Sequence, residues 1–151
     1  MRLKALVGSG DKIAFFSLPF AAAGVAANTC FPAVFGAVRP SRALTAVSVV
    51  FLLLGIAIWL WSAILILSKV PKKELITGGP YSLVKHPLYT GVALLVLPWA
   101  GFLLHTWLGA WIGIGIYLGS RVFSPREEKD LAERFGPAWE DYCQRVKLPW
   151  L

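Results

Sequence analysis

Three long stretches without a charged side chain constrain the fold of this chain more than any other feature. They cover Ile13–Val38, Ala43–Leu67 and Leu88–Ser120. A helix needs about 20 apolar residues to cross the hydrocarbon core of a membrane. Each of the first two stretches suits one such helix, and the third, at 33 residues, suits two short ones. The pattern predicts an all-α polytopic membrane protein with about four transmembrane helices.

The predicted transmembrane helices cover residues 12–38, 43–68, 87–104 and 107–123, all within a single membrane domain of residues 1–151. Four prolines and one glycine modify this pattern. We expect Pro19 and Pro32 to bend the first helix, Pro87 to open the third, and Pro98 with Gly101 to interrupt it.

The C-terminal segment, residues 124–151, has a different character, because charged residues return in it. Ser124 and Pro125 read as an N-cap and a first helical residue, with Glu127 completing a capping box. Gly136 and Pro137 would end that helix and start another. We therefore predict two short cytoplasmic helices that lie on the membrane surface or cover the helix ends.

The net charge of +7 comes from basic residues that flank the apolar stretches, so no nucleic-acid partner is expected. Most of them fall at the N-terminus, in residues 69–85 and in the C-terminal segment, whereas only Arg39 and Arg42 fall on the other side. By the positive-inside rule, this bias predicts an integral protein of the cell (inner) membrane with both termini cytoplasmic. We expect no metal ion, and the oligomeric state stays open.

Two polar clusters, residues 79–89 and 121–128, flank the predicted third and fourth helices. About 35 mostly apolar residues separate Pro87 from Arg121. A helical hairpin of that length would return both clusters to the same membrane face. Two segments that are distant in the sequence would then form one site.

Each residue of the first cluster has a structural interpretation beside the functional one. His86 could cap the third helix, although the amides at that helix start also suit a ligand carboxylate. Tyr81 and Tyr89 could anchor the helices at the membrane interface or contact a ligand.

The second cluster leaves the same choice open. Glu127 alone is best explained as a capping residue and Glu128 as a solvated charge. Arg121 could extend its side chain to the membrane surface.

Both clusters resemble a known family when they are read together. Residues 79–91 read GPYSLVKHPLYTG, and about forty residues later Glu127-Glu128 is followed by Leu131, Phe135-Gly136 and Tyr142. Blocks of this form, in this order, are similar to those of the isoprenylcysteine carboxyl methyltransferases and phospholipid methyltransferases. The resemblance covers roughly residues 75–150. The chain departs from the pattern at Phe123, at Trp139 and at Lys85, where arginine is commoner.

The resemblance implies S-adenosylmethionine as the cofactor, carboxyl O-methyl transfer as the activity, and a lipid-borne or prenylated small-molecule acceptor. It further implies that the C-terminal helices of residues 124–151 complete the cofactor site. It also implies two sets of site residues. The catalytic set is Glu128, Glu127 and Arg121, and the cofactor-binding set is Tyr81, Lys85, His86, Pro87, Leu88, Tyr89 and Glu127.

Other functions remain open at this point. The acceptor could be an isoprenylcysteine carboxylate, a phospholipid amine or a small thiol. Membrane sterol reductases, which bind NADPH, share a related C-terminal half. A non-catalytic transporter or assembly subunit is the third class, but ion carriers place ionisable residues within their spans, and the predicted spans here contain essentially none.

Overall fold

The computed structural model describes residues 9–37 and 41–149, and this part of the chain is all-helical. The predicted end of the first helix at Val38, and Arg39 in the turn that follows, lie outside the described residues. The α-helices are α1 (Gly10–Cys30), α2 (Pro32–Phe35), α3 (Arg42–Lys69), α4 (Pro87–Leu103), α5 (Leu108–Phe135) and α6 (Pro137–Arg145).

The predicted first helix is interrupted where we expected only a bend. It ends at Cys30, and Phe31 has φ −130° and ψ 60°, outside the helical region. Phe31 precedes Pro32, and the proline ring clashes with a helical conformation of the residue before it. Pro19, in contrast, lies inside α1. One proline therefore ends the helix and the other is accommodated within it.

The third helical element, α3, runs from Arg42 to Lys69, within one residue of the predicted 43–68 at each end. Its start is capped by the hydroxyl of Ser41, which accepts a hydrogen bond from the Leu44 amide at 3.3 Å. A buried stripe of small residues follows one face at two-turn spacing: Ser48, Gly55 and Ser62. A Cβ on Gly55 would lie 2.7 Å from the Cβ of Leu95, so α3 and α4 are in close contact there.

Helix α4 starts at Pro87, as predicted, but Pro98 and Gly101 do not interrupt it. Both lie within the α-helical turns Leu97–Leu103, and the irregular part is the preceding π-helical segment Val92–Val96. Proline has no amide to donate and its ring crowds the carbonyl four residues earlier. A π-helical turn widens the backbone at that point and keeps the helix continuous.

Helix α5 contradicts the predicted end at residue 123, because it continues through Pro125 to Phe135. Ser124 is therefore a buried residue inside a helix and not an N-cap, and only one separate C-terminal helix, α6, is present in the described part. Proline removes one backbone hydrogen bond from such a helix. Contacts that Glu127 and Glu128 make with distant segments offset this loss.

The helices are ordered side by side as α1, α5, α4 and α3. Four glycines of α5 allow the close contacts: Gly109 and Gly113 lie against the α4 backbone at Leu97 and Ala93, and Gly115 and Gly119 lie against Phe20 and Phe16 of α1. The two glycine pairs of α5 thus contact two different neighbouring helices.

Within the described part of the chain, two helices are long and apolar enough to cross a membrane: Gly10–Cys30 and the segment Arg42–Lys72. Both expose large apolar side chains, among them Phe15 (77% exposed), Ile64 (62%) and Leu67 (64%). A contiguous apolar surface of this kind suits contact with lipid better than contact with water.

Candidate functional site

The two polar clusters meet in the structure, as the hairpin prediction requires. Lys85 Nζ lies 2.7 Å from Glu128 Oε2, and His86 Nε2 lies 3.2 Å from Glu128 Oε1. The three side chains are 13–28% exposed, so they are shielded from solvent over most of their surface. One carboxylate therefore joins the start of α4 to the last turns of α5.

These partners keep the Glu128 carboxyl ionised. The hydrogen bond from His86, followed by that from Lys85, lowers the pKa of Glu128 to about 2, although burial acts in the opposite direction. A carboxylate with so low a pKa is a weak base. Glu128 is consequently better placed to orient Lys85 and His86 than to accept a proton.

The segment before α4 is held in place by the C-terminal part of the chain. The Tyr142 hydroxyl donates a hydrogen bond to the carbonyl of Tyr81 at 2.8 Å, and the Leu148 amide donates to the carbonyl of Leu83 at 2.8 Å. Gly79 opens this segment with φ +63°, a conformation that favours glycine. Burial raises the pKa of Tyr81 and of Tyr142, so both phenols stay neutral and able to donate.

A pocket of about 1000 Å³ lies beside this junction. Three parts of the chain form most of its walls: the end of α3, the segment before and at the start of α4, and the helices α5 and α6. The lining includes Ala63, Ile66, Leu67, Leu75, Tyr81, Lys85, His86, Leu88, Tyr89, Glu127, Asp130, Leu131, Phe135, Trp139 and Tyr142.

Six of the predicted site residues line this pocket: Tyr81, Lys85, His86, Leu88, Tyr89 and Glu127. Pro87 is fully buried and packs the start of α4 instead. Glu128 lies behind Lys85 and His86 and is not among the described lining residues. Arg121 is exposed on α5 and is not among them either.

The capping role of Glu127 is wrong, because this residue lies inside α5 and not at a helix start. Its Oε2 instead accepts a hydrogen bond from the backbone amide of Ser9, at 3.2 Å. The Ser9 hydroxyl also donates to the carbonyl of Phe123 at 3.4 Å. The residue just before α1 is thereby joined to the pocket wall.

His86 does not cap α4 through its side chain, although it occupies the N-cap position. The imidazole contacts Glu128 and lies near the ring of Tyr89, with ring centroids 6.3 Å apart. The structural interpretation of His86 is confirmed for its N-cap position but not for a side-chain capping bond, and His86 also lines the pocket.

Two groups of lining residues were missed from the sequence. The sequence does not identify Ala63, Ile66 and Leu67 as pocket residues, because an apolar residue near a helix end suits contact with lipid and a place in a pocket wall equally. Trp139 and Tyr142 recur at helical spacing, and the structure buries both against Leu131 and Phe135. Lys85 Nζ lies 6.0 Å from the centre of the Trp139 ring.

Comparisons of the chain with protein-family models, with curated proteins and with solved structures found no match.

Proposed function

We propose that the chain is an S-adenosylmethionine-dependent membrane methyltransferase whose site is the pocket between α3, α4, α5 and α6. One observation carries the proposal: the two sequence blocks that resemble the methyltransferase family meet at a single pocket, joined by the contacts of Lys85 and His86 with Glu128. A hairpin alone would return the two clusters to the same membrane face, but it would not require the direct contacts of Glu128 with Lys85 and His86 beside a pocket.

The size and chemistry of the pocket fit this cofactor together with an acceptor. Sites for small molecules commonly enclose about 300–1,000 Å³, and this pocket lies at the upper end with about 1000 Å³. The aromatic rings of Tyr81, Tyr89 and Trp139 and the Glu127 carboxylate suit a ligand that carries a positive charge. The apolar end of α3, at Ile66 and Leu67, suits a hydrophobic acceptor.

The cofactor would supply a methyl group that is already activated by a sulfonium centre. The protein then has to align the acceptor and exclude water, which can account for a large part of a rate enhancement. We assign the binding of the cofactor to Tyr81, His86, Leu88 and Tyr89, with Glu127 supplying the negative charge. Glu128 is a positioning residue, because it touches Lys85 and His86.

The proposal includes four membrane spans with both termini in the cytoplasm. Length and composition support α1 and α3 as two of these spans. In the proposal, α4 and the first half of α5 form the other two. Single cysteines at Lys72 and Lys147, with Cys30 and Cys143 replaced by serine, should then be labelled from one side of the membrane. A cysteine at Ser41 should be labelled from the other side, and labelling of Ser41 and Lys147 from one side would refute this topology.

Equilibrium binding to the detergent-solubilised chain tests the cofactor. We expect S-adenosylmethionine and S-adenosylhomocysteine to bind and NADPH not to bind. His86→Ala should weaken the affinity for S-adenosylmethionine about fivefold to tenfold, since it removes a polar contact from the wall. The matched control is His105→Asn at the opposite end of the molecule, where φ of 58° favours asparagine.

The outcomes of this experiment separate the candidate functions. Unchanged affinity in His86→Ala would remove the pocket from the proposal, and binding of NADPH alone would favour the reductase. Transfer of a labelled methyl group to an isoprenylcysteine analogue, or to the lipids of a membrane extract, would then identify the acceptor.

A further inference from the structure

The start of the first helix touches the pocket, although no sequence motif connects it with the site. Gly10 is among the lining residues, and the Ser9 amide donates to Glu127 Oε2 at 3.2 Å. Ser9 is only 6% exposed, so this contact is shielded from solvent. The chain segments involved are 118 residues apart.

The geometry points to a positioning role: we propose that the Ser9 backbone amide, at the N-terminus of α1, holds the Glu127 carboxylate in the pocket wall so that it faces a cationic ligand group. This inference rests on the proposed function and names the part of the ligand concerned, the sulfonium of S-adenosylmethionine. Ser9 itself does not contact the ligand.

Three physical features support this role. The first amides of a helix have no partner within the helix, so the Ser9 amide is available to an acceptor from another segment. The positive end of the helix dipole lies at the same place and favours a negative charge there. The amide engages Oε2, which leaves Oε1 of Glu127 able to face the pocket.

The neighbouring carboxylate shows why such a support is needed. Glu128 is fixed by Lys85 and His86 on α4 and its preceding segment. The side chain of Glu127 leaves α5 in a different direction, since successive residues of a helix are rotated by about 100° about its axis. The Ser9 amide carries no net charge, and no basic side chain among residues 9–37 and 41–149 forms an ion pair with Glu127, whereas the charge of Glu128 is balanced by Lys85.

The test compares a ligand that carries the positive charge with one that does not. S-adenosylmethionine has a sulfonium, and S-adenosylhomocysteine has a neutral thioether at the same position. Calorimetry on the full-length chain in detergent gives the ratio of the two affinities. General damage to the pocket weakens both ligands alike, whereas misplacement of Glu127 changes the ratio.

Four variants give the comparison. Ser9→Pro removes the amide, and φ of −90° before the first turn of α1 is near what proline adopts. We expect Ser9→Pro and Glu127→Gln to lower the preference for the sulfonium about fivefold to tenfold. Glu127→Asp keeps the charge but draws it away from the amide, so we expect a similar loss. Ser9→Ala keeps the amide and should keep the parent ratio.

Each outcome decides the matter. A parent ratio in Ser9→Pro, or an equal loss in Ser9→Ala and Ser9→Pro, would overturn the role of the amide. If Ser9→Pro does not fold, a parent ratio in Glu127→Asp would overturn it instead. If the parent chain binds neither ligand, the proposed function fails and the inference fails with it. If the parent chain binds both ligands and all variants keep its ratio of affinities, the role of the Ser9 amide is overturned while the proposed function stands.

Discussion

The two ends of the helix assembly join the same helices by different means. At the far end, formed by residues 28–37 and 104–108, the bonds are neutral. The Ala37 amide donates to the His105 carbonyl and the Trp107 amide to the Phe35 carbonyl, both at 2.8 Å. At the pocket end, formed by residues 9–10, 79–89 and 127–148, charged side chains make connections in addition to neutral hydrogen bonds.

This difference helps to distinguish the contacts that the fold requires from those that ligand binding requires. The far end shows that helices of this chain can be joined without a buried charge. Apolar residues packed in place of an ion pair that is shielded from water are often as stable as the pair. The charged groups at the pocket end are therefore better explained by the ligand than by the fold, which supports the proposed function.

The largest expected effect is at Glu128. Glu128→Ala leaves Lys85 and His86 shielded from water without their acceptor. We expect a loss of about 2 kcal/mol in unfolding free energy, less than for a fully buried pair, because part of the carboxylate reaches solvent. Binding of S-adenosylmethionine should weaken more than tenfold. Thermal melting and calorimetry in detergent measure both.

Glu140→Ala is the matched control, because Glu140 is exposed on α6. A Glu128→Ala variant as stable as this control would mean that the pocket end does not depend on its ion pairs. The two ends would then not differ in their dependence on charged contacts.

The same carboxylate predicts a dependence of stability on pH. Its pKa is lowered from 4.5 to about 2 in the folded chain. A lowered pKa means that the stabilising contribution is present above about pH 4.5 and is lost as the pH falls toward 2. Melting temperatures of the parent and of Glu128→Gln should therefore converge across this range. A constant difference between them would contradict the prediction.

A smaller effect is expected from Gly109, which lies near the far end. A Cβ at this position would overlap the carbonyl of Leu97, so Gly109→Ala has to separate α4 from α5. We expect a loss of about 1–2 kcal/mol in stability with little change in cofactor affinity. Gly78→Ala is the control, since no described atom lies within 4 Å of a Cβ there. A marked loss of affinity in Gly109→Ala would show that the two ends are coupled.

The smallest effect is expected from Thr106 at the far end. Its hydroxyl donates to Asn28 Oδ1 at 2.7 Å and accepts from the Leu108 amide at 3.1 Å. Thr106→Val removes both bonds and should cost about 1 kcal/mol, whereas Thr106→Ser should retain them. Melting temperatures check the difference. Equal values for the two variants would show that the far end is held by its backbone bonds alone.

The sequence predicted helix α3 well and helix α5 poorly, and the reason is physical. Charges at both ends of an uncharged stretch define α3, so its limits follow from composition alone. The end of α5 was placed at a proline and an apparent cap, which are local signals. Contacts of Glu127 and Glu128 with distant residues outweigh these signals, and no local pattern records them.

By itself, the sequence determined the all-helical fold, the limits of α3, and the convergence of the two polar clusters, because a hairpin of apolar helices returns its ends to one face. Only the tertiary structure decided which of two adjacent carboxylates lines the pocket. Neighbouring helical residues point in different directions, and the segments they meet, Ser9 for Glu127 and Lys85 with His86 for Glu128, lie 42 to 118 residues away. Their placement depends on how α1 and α4 pack against α5, which spacing along the chain does not specify.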